Sequence, residues 1–281
     1  MQAAADPFWS GSETERHALN LNGMFNLKGH VAFVTGSARG LGLAMAEIVA
    51  TCGAKVTMSD IDATALAVSV DRLKSQGYDV VGEVVDVANL DLLVSTIDGI
   101  VKREGRLDIV FANAGLSAGS GPLTSAGGLA QVDLDRWNYL LQTNLTSVFV
   151  AIRAASAHMM RQRYGRIVVT GSIAGIRGER MCGYAYAATK AAISNLVRQS
   201  SIELSPHQVT INAIAPGPFL TDIGNGRLHH PEVAAEFVED VPMGRIASPQ
   251  EIKGLALLLA SPASSYITGA IIPIDGGATA S

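Results

Sequence analysis

Val31-Ala32-Phe33-Val34-Thr35-Gly36-Ser37-Ala38-Arg39-Gly40-Leu41-Gly42 is the stretch that decides the fold of this 281-residue chain. A short apolar run of strand character leads into three glycines spaced Gly-x-x-x-Gly-x-Gly, and Leu43 to Cys52 then has the composition of a helix. A strand that turns through small residues into a helix is the opening of a βαβ unit. Glycines at such a turn let the backbone bend tightly and approach a pyrophosphate, whose charge the free N–H groups of the helix start stabilise. The spacing differs from the commoner Gly-x-Gly-x-x-Gly pattern, and a lone glycine-rich turn is as often structural, so the rest of the chain has to decide.

The rest repeats the same rhythm. Candidate strands run from Val31 to Thr35, Lys55 to Ser59, Val80 to Val85, Ile109 to Ala112, Arg166 to Thr170, Thr210 to Ile214 and Ile271 to Ile274, and helical periodicity fills nearly all the intervals. Near-continuous apolar strands joined by helices predict a parallel sheet covered on both faces, a doubly wound Rossmann-type α/β fold. No linker or change of composition divides it, so residues 27–281 are read as one dinucleotide-binding catalytic domain behind an extension, residues 1–26.

Composition narrows the partners. A net charge of −4 without a basic run leaves no footprint for nucleic acid or an anionic membrane, and no apolar stretch is long enough to span a bilayer. A small-molecule partner and a soluble, cytoplasmic protein are expected. Cys52 and Cys182 are too few for a disulfide framework or a cysteine-rich zinc site, which fits a reducing compartment. His229-His230 are adjacent and have no carboxylate at a ligand spacing, so no metal site is expected. The 48% hydrophobic content calls for extensive burial, in the sheet or between subunits.

Four further segments fall at predicted strand ends, where ligands of such sheets bind. Asp60 ends the second strand. There a carboxylate accepts the ribose hydroxyls of adenosine and repels a 2′-phosphate, which favours NAD over NADP. Arg39 in the glycine turn argues the other way, and Asp60 as helix N-cap before Ala63 to Leu73 is the structural alternative. Asp86-Val87 follows the third strand and Asn113-Ala114-Gly115 the fourth. Beyond the fifth, Ser172 precedes Tyr186 and Lys190, whose spacing of four places both on one face of a helix from Tyr184 to Leu204. A tyrosine is a poor base at neutral pH, and the ammonium of Lys190 is expected to favour its phenolate. Ser172 is placed to hydrogen-bond a substrate oxygen, and Asn144 to extend a polar chain to solvent.

Tyr-x-x-x-Lys alone is common. Joined in order by the glycine turn, Asn113-Ala114-Gly115, Asn144, Ser172, Pro216-Gly217 and Asp275-Gly276-Gly277, it resembles the single-domain short-chain dehydrogenase/reductase family from about Leu27 to Gly277. The resemblance implies seven parallel strands and a catalytic tetrad of Asn144, Ser172, Tyr186 and Lys190. In it Tyr186 exchanges a proton with the substrate oxygen as hydride moves to or from the nicotinamide, Lys190 also binds the ribose, and Asn144 positions a proton-relaying water. It further implies cofactor contacts at Gly36, Ser37, Arg39, Gly40 and Leu41, with Ile214, Pro216, Gly217, Phe219 and Thr221 around the nicotinamide. A homotetramer is implied through Leu134 to Met160, Tyr184 to Leu204 and Ile267 to Ile274.

The expected activity interconverts a secondary alcohol and a ketone with NAD(H). Alternatives are an NADPH-dependent 3-oxoacyl-thioester reductase acting on acyl carrier protein and a non-catalytic dinucleotide sensor. Two departures from the family pattern, an interval from Ser172 to Tyr186 one residue longer than in many members and an expanded loop from Ser117 to Gly128, bear on the substrate. Glu179 and Arg180 would suit a polyol; Met181, Phe219 and Leu220 would suit an apolar ketone.

Overall fold

The computed structural model describes residues 21–117, 119–224 and 226–280, so residues 1–20 of the expected extension lie outside them. Strand β1 (Val31–Thr35) shows how the core divides. Ala32 and Val34 pack into one apolar cluster and Val31 and Phe33 into a second, because successive side chains of a strand point to opposite faces. Strand β4 (Ile109–Ala112) splits the same way, with Ile109 and Phe111 on one side and Val110 and Ala112 on the other. Such a strand has no wet face, which is why it reads as a continuous apolar run. Phe33 and Phe111 are fully buried, and truncating either to alanine would cost about 3–5 kcal/mol.

The remaining strands are β2 (Lys55–Asp60), β3 (Val80–Val84), β5 (Gly165–Thr170), β6 (Val209–Pro216) and β7 (Ile271–Ile274). All pair in parallel, in the order β3-β2-β1-β4-β5-β6-β7. In chain order the helices are α1 (Leu21–Met24), α2 (Gly40–Thr51), α3 (Ala63–Ser75), α4 (Leu90–Glu104), α5 (Leu134–Leu141), α6 (Ser147–Gln162), α7 (Tyr184–Leu204), α8 (Pro231–Val238) and α9 (Lys253–Ala260). Residues of α2, α3 and α9 join the first cluster; residues of α4, α6 and α7 join the second. Strand order reverses between β1 and β4, and the chains leaving those two strands open a crevice at the carboxyl edge of the sheet.

Two sequence expectations change. The N-cap of α3 is Asp62, whose carboxylate accepts from Ala65 N at 3.0 Å, so Asp60 is free of that duty. The helix expected from Leu134 to Met160 is interrupted by a π-turn, Gln142–Thr146, and runs on to Gln162. Among the described residues no helix is long and apolar enough to cross a membrane.

Candidate active site

Each glycine of the first turn has its own steric reason. Gly36 and Gly40 take φ of 63° and 58°, the left-handed region that L side chains rarely enter. A Cβ on Gly42 would stand 2.1 Å from the carbonyl oxygen of Gly36. The turn is tied to the next strands by three polar residues. Asn113 Nδ2 donates to the carbonyls of Thr35 and Gly36, both at 3.0 Å, and its Oδ1 accepts from Thr170 Oγ1 at 2.9 Å. Thr35 Oγ1 in turn accepts Asn113 N and Ala114 N. The result is a backbone cradle that a Cβ would fill, matched to a dinucleotide phosphate.

Ser37 does not face this cradle. Its buried hydroxyl donates to Val34 O and accepts from Ser59 N, stapling β1 to β2. Asp60 does face it: its carboxylate accepts from Ala38 N at 3.0 Å and Asp62 N at 3.1 Å while lining the cleft. Arg39 lines the cleft as well, with its guanidinium 3.0 Å from the carboxylate of Asp62.

At the far end of the cleft β5 and α7 bring Ser172, Tyr186 and Lys190 together. Ser172 and Tyr186 both line the cavity there, with the serine near enough to favour the phenolate, and Lys190 Nζ lies 5.5 Å from the centroid of the Tyr186 ring. Buried Lys190 donates to the carbonyl of Thr170 at 2.6 Å. Burial pushes the Tyr186 phenol above the ordinary tyrosine value; the nearby Cys182 adds to this, and Ser172 opposes it. The expectation that the Lys190 ammonium holds the phenol below its ordinary value is therefore corrected, because burial outweighs it. Burial works on both groups, and it also pushes Lys190 down to about 8.

Asn144 sits inside the π-turn, fully buried and outside the cleft wall. Its Oδ1 accepts from Leu116 N and its Nδ2 donates to Leu116 O, both at 2.8 Å, so each end of the amide holds the chain that leaves β4.

The cleft is one continuous cavity of about 910 Å³. It gathers Gly36, Arg39, Gly40, Leu41 and Asp60, then Asp86, Val87 and Asn113 to Gly115, then Ser172, Tyr186 and Lys190, with Pro216, Gly217, Phe219 and Thr221 on its β6 side. Ser37, Asn144, Ile214, Arg180 and Leu220 are not in its wall, whereas Glu179, Met181 and Cys182 are. Thr170, Arg177 and Arg227 join the wall without having been anticipated. Thr170 was legible as a polar residue at a strand end; Arg177 comes from a loop and Arg227 from a single 3-10 turn, and neither carries a sequence signal. His229 and His230 line the mouth, with His229 Nε2 3.2 Å from Asp222, and the described residues contain no cluster of metal-ligating groups.

A family model described as Enoyl-(Acyl carrier protein) reductase matches residues 36–279. The chain is 37% identical over 274 residues to a cyclohexanol dehydrogenase of Rhodococcus sp. (strain TK6), covering 90% of this chain and 97% of that protein. It is 34% identical over 253 residues to the 3-oxoacyl-[acyl-carrier-protein] reductase of Vibrio cholerae, covering 90% and 98%. Among solved structures, a gluconate 5-dehydrogenase from Burkholderia cenocepacia J2315, in complex with NADP and tartrate, superposes with a TM-score of 0.85 at 29% identity, covering 93% and 100%. Sheet order, glycine cradle and these relatives agree, and the chain belongs to the short-chain dehydrogenase/reductase family of oxidoreductases.

Proposed function

We propose that residues 27–281 form a catalytic domain that interconverts a secondary alcohol and a ketone with NAD(H), in a cytoplasmic homotetramer. The observation that carries this reading is the continuity of one cavity from the Gly36–Gly42 cradle to the Ser172–Tyr186 pair. A nicotinamide, when bound, accepts hydride in oxidation and donates it in reduction. Tyr186 handles the proton. As phenolate it takes the hydroxyl proton of the alcohol while the carbinol C–H leaves as hydride, and as phenol it returns that proton to the carbonyl oxygen in reduction. Ser172 donates a hydrogen bond to the same oxygen and stabilises charge that develops on it. Lys190 holds the ribose and places a cation beside the phenolate. Asn144 acts through Leu116, fixing the chain that borders the reacting centre.

Asp60 supports NAD over NADP, since its carboxylate repels a 2′-phosphate and Arg39 in the same turn pairs with Asp62. A second reading, NADPH-linked reduction of a 3-oxoacyl thioester, draws on the Vibrio relative and on the Burkholderia neighbour solved with NADP.

The test is a turnover panel of cyclohexanol, sorbitol, gluconate and 3-hydroxybutyryl thioester with both cofactors, repeated with Tyr186→Phe. The variant should lose at least about 10²–10⁴-fold in kcat and keep its NADH affinity. Retention of more than about a tenth of the parent rate, with chemistry limiting, overturns the assignment of Tyr186.

A further inference from the structure

The two departures from the family pattern meet in space. In the expanded loop, buried Gly121 lies so close to the segment before α7 that a Cβ there would stand 1.8 Å from the carbonyl oxygen of Arg180 and 2.7 Å from its carbonyl carbon. The loop is closed on itself at that point: Thr124 Oγ1 donates to Gly121 O at 2.9 Å, Gly127 N donates to Thr124 Oγ1, and a Cβ on Gly127 would meet Gly121 O at 2.1 Å. It is a compact brace, and its pressing face is a bare glycine against a backbone.

The side chain of Arg180 reaches from that braced segment to the end of α8. Its Nε donates to Asp240 Oδ2 at 3.0 Å, and its Nη2 donates to Glu239 Oε2 at 2.9 Å and to the carbonyl of Glu236 at 3.3 Å. Glu236 lies in α8 and Glu239 and Asp240 follow directly on its end, and Phe237, Asp240 and Val241 line the cavity. A second tie joins the same pieces, because Arg227 Nη2 donates to Met181 O at 3.3 Å. Arg180 itself is outside the cavity wall, while Glu179, Met181 and Cys182 on either side of it are in the wall, and Cys182 acts on Tyr186.

We propose that Arg180, braced by Gly121, is a positioning residue for substrate: it clasps α8 over the cavity and thereby sets the Met181–Cys182 wall beside Tyr186. The inference rests on the reading of this cavity as a substrate site. Arg180, Glu239 and Asp240 keep 41%, 68% and 41% of their side-chain surface, and ion pairs so exposed add little to global stability and are weakened by salt. The clasp therefore tunes local closure. Its loss should appear in substrate KM, while the cofactor cradle, built on the ends of β1, β4 and β5, is untouched.

The experiment uses the panel member oxidised fastest. Arg180→Ala should raise its KM about tenfold, change kcat by less than about threefold and leave NADH affinity alone, the pattern of a lost binding contribution. Arg180→Lys keeps the charge without the fork and should fall between. In the parent, KM should rise with salt, and in Arg180→Ala it should not. Gly121→Ala should raise KM without adding to Arg180→Ala, since both act through one segment; Glu232→Gln, elsewhere on α8, is the neutral control. Tryptic cleavage after Arg227 should accelerate in Arg180→Ala, a readout independent of turnover and of the folding of Gly121→Ala. Unchanged KM with unchanged cleavage, or an equal loss of NADH affinity, overturns the clasp. Absence of turnover on the whole panel overturns the proposed activity instead, and the cleavage rate then decides the clasp alone.

Discussion

The two ends of the cavity are held in different ways. At the cofactor end, the backbone of the glycine turn is fixed by Thr35, Asn113 and Thr170, which stand at the carboxyl ends of β1, β4 and β5 and bond to one another because the sheet puts those ends side by side. At the end proposed for substrate, the segment around Arg180 is held by side chains, chiefly exposed Arg180 and half-buried Arg227. A site positioned by the sheet tolerates almost no added atom. One tied by side chains on loops trades those ties at small cost, except where Gly121 presses on the Arg180 backbone, and that is where members of one fold can diverge in substrate.

The largest effect that sharpens this contrast is steric. Gly42→Ala drives a Cβ to 2.1 Å from a backbone oxygen, so it should destabilise the protein by about 1–3 kcal/mol and weaken NADH binding. Gly128→Ala, in the other glycine-rich stretch, meets nothing nearer than 4.0 Å and should stay within about 0.5 kcal/mol. Thermal unfolding with and without NADH measures both, and equal losses would break the distinction.

A second effect belongs to the junction of the two ends. Burial raises the pKa of Tyr186, so the phenol persists through neutral pH. In the proposed mechanism reduction uses the phenol and should be flat there, and oxidation uses the phenolate and should climb. The ratio of oxidation to reduction rates should rise by about tenfold per pH unit, bending over above pH 8 as Lys190 gives up its charge. Initial rates in both directions across this range give the ratio, and a flat ratio would remove the phenol from proton transfer.

The smallest effect is on cofactor choice. Asp60→Ala removes the carboxylate at the end of β2 and should narrow the gap in kcat/KM between NAD and NADP several-fold, with substrate KM unmoved. Better efficiency with NADPH in the unaltered protein would transfer the assignment to Arg39.

The same contrast explains what was legible in the sequence. The central strands were readable because burial on both faces leaves a continuous apolar signature, and β1 and β4 have the bounds the sequence predicts, as does the half-buried edge strand β7. The cradle was readable because only glycine fits Gly36, Gly40 and Gly42. Ser37 shows the limit of a motif, since a residue inside it serves the sheet and not the cleft. Arg177 and Arg227 were silent because a loop's aim depends on partners distant in sequence. The pKa of Tyr186 was misjudged because spacing shows the neighbouring lysine and hides the loss of water from both groups.

The π-turn at Gln142–Thr146 has a consequence best put as phase. Each residue of an α-helix turns its side chain by about 100°, so a wide turn absorbs one extra residue and lets the segments on either side keep separate orientations. α5 and α6 thus follow one axis in different rotational settings, with Asn144 at the seam. Deleting a single residue there would regularise the helix and swing Asn144 about 100° away from Leu116, severing both bonds that hold the chain leaving β4. Every residue of that contact would still be present, and the angle alone would have undone it.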